Sequence, residues 1–249
     1  MRAEPPSTGG PAALSERIAA VRWYHTLELA PGVVTEGFFD HRPYLAKYGL
    51  PADLSGQRAI DVGSQDGFWA FELERRGATV TALDVDRIQQ LDWPPRSRPA
   101  GDEPRGDRFR FAAEARNSAV RWVGTSIYET APEELGGTFD LVFCGSVLIH
   151  LRDPMLALER MAALCRDRLI LAEEYSRLLE RLPRISVAEF RGEGPHMTWW
   201  RPTTRTWLAM VRVAGFDEVC HHSRFRLAFS QERRQAVPHT VIHARGRAA

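Results

Sequence analysis

The chain has 249 residues, 44% of them hydrophobic, and balances 33 Lys and Arg against 32 Asp and Glu for a net charge of +1. That is apolar content for one sizeable core with an appendage, and the charge balance excludes a chain-wide electrostatic attraction for nucleic acid. The three cysteines, Cys144, Cys165 and Cys220, show no CxxC spacing, which argues against a disulfide framework or a structural zinc site and fits a reducing, cytoplasmic setting.

Residues 1–15, rich in Pro, Gly, Ser and Ala, read as a disordered tail without the apolar stretch of a signal peptide. A helix is expected from residue 14 to about 25, with Leu14, Ile18 and Val21 on one face. With the aromatic, Pro- and Gly-broken stretch that follows, it makes an N-terminal cap, 16–55. From Arg58 strands and helices alternate. "RAIDV" is a strand, "GFWAFELERRG" a helix closed by Gly77, and "TVTALDV" a strand. A Pro/Arg-rich loop, "DWPPRSRPAGDEPRGDR", is expected to be mobile; its mixed charges suit a solvated segment more than a phosphate-binding stripe. Then come the helix "FRFAAEARN", the strands "VRWVG" and "FDLVFCGSV", and the helix "PMLALERMAALCR" with Pro154 at its start. The strand "RLILAEE", an insertion at about 176–202, the helix "TTRTWLAMVRVAG" and the strands "FDEVCHHS" and "HTVIHARG" complete the chain. This alternation predicts one α/β domain, 56–249, with a Rossmann-like, doubly wound, mostly parallel sheet of seven strands. No apolar run approaches the ~18 residues of a membrane span.

In such sheets a ligand sits outside the carboxyl ends of the strands, at the point where strand order reverses. The first strand ends in "DVGSQDG". Gly63 allows close backbone approach, Gly67 a tight helix start, and Asp61 sets a carboxylate beside the pocket. About twenty residues on, "ALDVD" ends the second strand with Asp84, suited to the hydroxyls of an adenosine ribose. A dinucleotide fold would want GxGxxG and a pyrophosphate at the helix N-terminus. Here Gln65 and Asp66 occupy that stretch, and Asp66 would repel a phosphate. A nucleoside carrying an amino group and a sulfonium suits the acidic rim better.

The runs "DVGSQDG", "ALDVD" and "GTFDLVFCGSVLIHLRDP" resemble a class I S-adenosylmethionine (SAM) methyltransferase, with Gln65 departing from the usual DxGxGxG. The segments "WYHTLELAPGVVTEGFFDHRP", "GFWAFELERRGA", "VLIHLRDPMLALERM" and "FRGEGPHMTWWRPTT" extend the resemblance to the tRNA wobble-uridine methyltransferase-like group, over about residues 23–216. That group includes a bacterial tRNA carboxymethyltransferase and many actinobacterial enzymes of sugar or small-molecule pathways. The tRNA carboxymethyltransferases place a tyrosine before the histidine that follows the fourth strand. Here Ile149 precedes His150, so ordinary SAM is expected in place of carboxy-SAM.

The resemblance implies cofactor contacts at Asp61, Gly63, Ser64, Gly67, Asp84 and Val85. Ser126 and Ile127 would flank the adenine, and Gly145 and Ser146 would lie near the methionine half. Methyl transfer to a hydroxyl needs a group to take its proton, and a neutral histidine suits that task near pH 7. His150, at the carboxyl end of the fourth strand, is the candidate base; its plain alternative is a structural pairing with Asp153. Glu173 and Glu174 end the fifth strand, and only one of two neighbours can face the pocket. That residue could be an alternative base, a hydroxyl binder or an oxygen ligand for Mg2+, although no cluster of oxygen ligands accompanies it. Tyr24 and His25 in the cap, and His196, Trp199, Trp200 and Arg201 in the insertion, suit stacking on an acceptor. The alternative for at least one of the tryptophans is pinning the insertion to the domain. By the same resemblance, His25, His41 and Arg42 would close over the cofactor from the cap. The expected acceptor is the hydroxyl of a small molecule or oligosaccharide. A tRNA substrate and a non-catalytic SAM-binding module are the rivals, and the cap offers a surface for a homodimer.

Overall fold

The computed structural model describes residues 11–182, 184–192, 197–232 and 234–246. Its centre is a seven-stranded sheet: β1 (Arg58–Val62), β2 (Thr79–Asp84), β3 (Arg121–Gly124), β4 (Phe139–Gly145), β5 (Cys165–Glu174), β6 (Asp217–Ala228) and β7 (Ala236–Arg245). The spatial order is β3-β2-β1-β4-β5-β7-β6. The pairs from β3 through to β5 are parallel, and β7 runs antiparallel to both β5 and β6. The sequence expectation of a doubly wound, mostly parallel sheet therefore holds. Chain order steps from β1 outward to β3, then returns to the other side of β1 as β4. The carboxyl ends of β1 and β4 are thus adjacent at the reversal, where a crevice is expected.

Strict alternation along the central strands divides the core in two. Ala59, Leu141, Phe143, Ile170 and Ala172 face one cluster, completed by Trp69, Phe71 and Leu73 of α3 (Phe68–Arg75) and by Trp23 and Tyr48 of the cap. Ile60, Val62, Val142, Cys144, Leu169 and Leu171 face the other, completed by α5 (Pro154–Leu164) and α6 (Thr204–Val213). Both faces of the parallel strands are covered, which is why these strands read as nearly unbroken apolar runs. The helices start where their caps dictate. Asp153 accepts the Leu156 amide at 3.0 Å with Pro154 in the first turn, and Thr203 accepts the Thr206 amide at 3.2 Å.

The N-terminal expectation needs correction. Helix α1 covers Pro11–Ala19, and Trp23–His25 is a short strand paired in parallel with Gly37–Phe39. Extension there is enforced by Asp66, whose carboxylate accepts the amides of Tyr24 and His25 at 2.8 and 2.9 Å. The Pro/Arg-rich loop is also more ordered than expected. Arg105 N–H donates to Asp86 O and Ile88 N–H to Glu103 O, and α4 (Asp107–Arg116) follows directly.

Candidate functional site

Two cavities meet above the carboxyl ends of β1 and β4. The first, of about 300 Å³, is walled by Gly63, Asp84, Val85, Asp92 and Ile127, among others. The second, of about 560 Å³, is walled by the cap, the turn after β4, the insertion and β7. Tyr24, His25, Trp69, Gly145, Ser146 and His150 border both.

The first cavity is shaped by the turn after β1. Gly63 has φ +77°, and a Cβ there would lie 2.3 Å from Val147 Cγ2, so the turns after β1 and β4 pack as closely as a bare backbone allows. Gln65 holds the left-handed conformation, φ 55°, that a glycine would take freely. Its amide donates to Asp84 Oδ2 at 2.8 Å, and its side-chain oxygen accepts from Arg108; these bonds hold a residue where glycine is usual. Gly67 serves packing: its Cβ position is filled by Phe71 and Phe109. Asp84 also accepts the Val85 amide at 2.8 Å and faces Arg105 at 3.5 Å. Its carboxylate is therefore fixed at the wall. Asp92 accepts the Tyr128 hydroxyl and the Arg152 amide, each at 2.7 Å. Fixed carboxylates, a glycine permitting close approach, and flanking Val85 and Ile127 fit a nucleoside with a cationic amino-acid tail, the chemistry of SAM.

The second cavity is aromatic with few charges. Phe38, Phe39, Tyr48, Trp69 and Phe229 line it, with Arg22, Arg191 and Arg201 and the single carboxylate of Glu174. Arg201 faces Glu174 at 3.2 Å; burial raises the Glu174 pKa and Arg201 pulls it back. Among the described residues four imidazoles reach this cavity. His41 bonds the Tyr48 hydroxyl at 2.8 Å and is held neutral, its pKa pushed far down by burial and by the neighbouring His25 and His239. His239 donates from Nδ1 to Val237 O, so its Nε2 accepts the Ser146 hydroxyl at 2.8 Å; burial pushes it down to about 4. His150 donates from Nδ1 to Met197 O at 3.2 Å. His25 meets a carboxylate, Asp66, in a short Nδ1···Oδ1 contact.

Residues 37–221 match the family model of a methyltransferase domain. The chain belongs to that family. Over 113 residues the chain is 30% identical to the ubiquinone biosynthesis O-methyltransferase of Vibrio parahaemolyticus, a match covering 45% of the chain and 41% of that protein. Over 111 residues it is 32% identical to an uncharacterized methyltransferase of Mycobacterium bovis, covering 45% and 46%. The matched stretch thus spans less than half the length of these relatives. The fold of the chain superposes on the N-terminal domain of EvdMO1 with SAH bound, at TM-score 0.67 and 18% identity over 98% of the chain and 100% of that domain. It also superposes on the 1,6-didemethyltoxoflavin-N1-methyltransferase of Burkholderia thailandensis, at TM-score 0.53 and 15% identity over 99% and 93%.

Of the residues expected from the sequence, Gly63, Asp84, Val85, Ser126, Ile127, Gly145 and Ser146 line the first cavity, and Tyr24, His25, His150, Glu174 and Arg201 line the second. Others have different work. Asp61 does not line either cavity; its carboxylate accepts the Ala70 amide at 3.0 Å under the turn, and burial pushes its pKa up to about 7. Ser64 is likewise buried beneath the turn. Glu173 is turned away from both cavities. Its Oε1 accepts the amides of Val147 and Leu148 at 2.9 and 2.8 Å, which fixes the turn carrying Ser146 and His150, and burial pushes its pKa up to about 8. The two tryptophans pin the insertion and do not line either cavity: Trp199 Nε1 donates to Asp92 O at 2.7 Å and Trp200 Nε1 to Arg152 O at 3.0 Å. Arg42 is committed to Asp40. His196 lies outside the described residues. Among the described residues no group of three or more His, Cys, Asp or Glu side chains is placed to hold a metal ion, and no helix is long and apolar enough to cross a membrane.

Sequence reasoning missed Asp66, Asp92 and His239. Asp66 was legible only as an acid at a helix start. Its partner is 41 residues away on a three-residue strand, too short to show periodicity.

Proposed function

We propose that this protein moves a methyl group from SAM, held in the first cavity, to a hydroxyl of a small molecule or saccharide held in the second. The observation that carries the reading is the shared border: two cavities of different chemistry meet at Gly145, Ser146, His25 and His150. SAM supplies an already activated methyl group, so the protein's tasks are alignment and proton removal; alignment alone supplies roughly 7–11 kcal/mol in favourable cases. The acceptor side suits a ring. Phe39, Tyr48 and Trp69 offer apolar faces, while Arg22 and Arg191 at its edge favour an acceptor bearing a phosphate or carboxylate. A neutral imidazole at the border takes the hydroxyl proton, and both His150 and His25 are placed there.

The test is transfer of labelled methyl from SAM into an extract of the source organism, fractionated into nuclease-sensitive RNA and small-molecule or glycan pools. Label in the small-molecule or glycan pool is expected, and its methylated atom can be read by NMR. Label in RNA would replace this reading with a tRNA modification. SAM binding without label in any pool would leave a non-catalytic SAM-binding module.

A further inference from the structure

Two imidazoles at the border of the cavities are held by different partners. His150 gives its Nδ1 proton to the Met197 carbonyl on the insertion. His25 gives its Nδ1 proton to Asp66, a carboxylate 0% exposed to solvent. The other two imidazoles of the acceptor cavity, His41 and His239, are bonded to neutral hydroxyls. A buried carboxylate on one imidazole nitrogen fixes the tautomer, leaves the lone pair on the other, and stabilises the cation that forms on protonation.

Asp66 is unusually well placed for this. Burial pushes its pKa up, but the His25 ring and the amides of His25 and Tyr24 outweigh that and hold it below the usual carboxylate range. The carboxylate therefore stays ionised. Oδ2 accepts the two amides and Oδ1 the imidazole, so ring and backbone of His25 are gripped by one group. Among the described residues His25 Nε2 makes no hydrogen bond, and the ring borders both cavities. Asp66 itself follows Gln65 in the turn that shapes the first cavity. One carboxylate thus links the donor-side turn to the cap that roofs the acceptor.

Resting on the methyl-transfer reading above, we infer that the His25–Asp66 pair is the general base of the reaction. The acceptor oxygen forms a bond to the methyl carbon as the carbon–sulfur bond breaks, and that bond's electron pair stays on sulfur. The hydroxyl proton passes to His25 Nε2, the resulting imidazolium is stabilised by Asp66, and the proton leaves to solvent as products depart. The products are a methyl ether and S-adenosylhomocysteine (SAH). The groups facing His25 are Asp66, the ring of His41 at 5.2 Å, Tyr24 at 4.8 Å, Phe68 of α3 at 5.7 Å, and Asp61 beneath the turn. Tyr24 is pushed up to about 12 by burial, then by Asp66 and Glu173, and His41 is held neutral. Asp61 is raised to about 7 by burial, and its carboxylate is bonded to the Ala70 amide.

The experiment compares wild type, Asp66→Asn, His25→Gln and His150→Gln in the full chain, by two readouts. With SAH bound, proton–nitrogen NMR of the imidazoles is expected to show His25 as the Nδ1–H tautomer with a far-downfield proton that Asp66→Asn removes. With labelled SAM and the acceptor pool that takes label, His25→Gln and Asp66→Asn are expected to lower kcat by ~10²–10⁴-fold. SAH affinity, measured by calorimetry, should stay within about threefold, because neither side chain supplies a charge-assisted bond to the donor. In Asp66→Asn the acid limb of the pH–rate profile should move to lower pH, because the imidazolium has lost its carboxylate. His150→Gln is expected to keep more of kcat than His25→Gln. Retention of kcat in His25→Gln, or a kcat loss confined to His150→Gln, overturns the inference. A wild-type protein that shows the downfield proton but labels no small-molecule pool overturns the methyl-transfer reading instead, and the assignment of the base with it.

Discussion

The donor-side cavity takes nearly all of its wall from turns at the carboxyl ends of β1 to β4, between Val62 and Leu151, with Tyr24, His25 and Met197 added at the rim. The acceptor-side cavity draws on separate pieces of chain: the cap from Arg22 to Tyr48, the turn after β4, the insertion around Arg191 to Arg201, and the outer strands from Leu227 to His239. The first is dictated by the topology of the sheet. Parallel strands around a reversal leave a crevice there whatever the outer pieces do. The second is made of appended segments held by side-chain bonds, such as Trp199 to Asp92 O and Trp200 to Arg152 O. Donor chemistry is therefore written into the fold, and acceptor chemistry into its attachments.

Substitutions can break that division. The largest effect is expected at Gly63→Ala, where φ +77° and the 2.3 Å approach to Val147 strain the packed turns. A penalty of roughly 1–3 kcal/mol is expected, a fall in Tm of roughly 5–10 °C by thermal unfolding, together with loss of SAM binding. Asp84→Ala removes a fixed carboxylate from the donor wall alone. It should weaken SAM by ~10–100-fold in calorimetry, the worth of a charge-assisted bond, with acceptor KM unchanged; an equal effect on both ligands would erase the distinction between the cavities. Glu173→Gln tests the shared turn through pH. Glu173 and Asp61 are raised by burial to about 8 and about 7. Each stabilises the fold below the ordinary carboxyl range and loses that contribution as pH climbs through 7 and 8. The variant should flatten the fall of Tm between pH 5 and 8 by about 5 °C, while its remaining oxygen still accepts the Val147 and Leu148 amides. Smallest is Trp200→Phe, which loses one exposed hydrogen bond on the insertion and should cost ~1 kcal/mol without moving SAM affinity.

The same contrast decides what could be read from the sequence. The strands 58–62, 79–84 and 139–145 announce themselves as apolar runs closed by Gly or Asp, because both their faces are buried, whereas the edge strand 121–124 is only partly covered. Gly63, Asp84, Ser126 and Gly145 follow from that placement. The outer strands were harder. β6 is exposed along most of its length and reads "DEVCHHSRFRLA", and it runs to Ala228, beyond the eight residues its opening suggests. β5 starts at Cys165, inside the stretch assigned to the preceding helix, because α5 stops at Leu164. The acceptor wall was legible only in part. Tyr24, His25 and Arg201 stand out as aromatic or polar residues in irregular segments, but Trp199 and Trp200 stand out equally and serve as pins. His239 lies inside a strand whose pattern gives no hint that one imidazole faces a serine across the sheet. What separates these cases is contact between distant segments, and spacing along the chain carries no information about that.

The scattered origin of the acceptor wall also sets an order of events in time. Apart from Met197, every residue of the donor cavity has been synthesised once Leu151 emerges, and its strands are neighbours in chain and space. The acceptor cavity needs Arg22 and His239 together, nearly the whole length of the chain apart. Contacts of such separation form late, because loop closure precedes any gain from them. A nascent chain would thus complete its donor-side crevice well before its acceptor side, and partial opening at the outer strands would reverse that sequence.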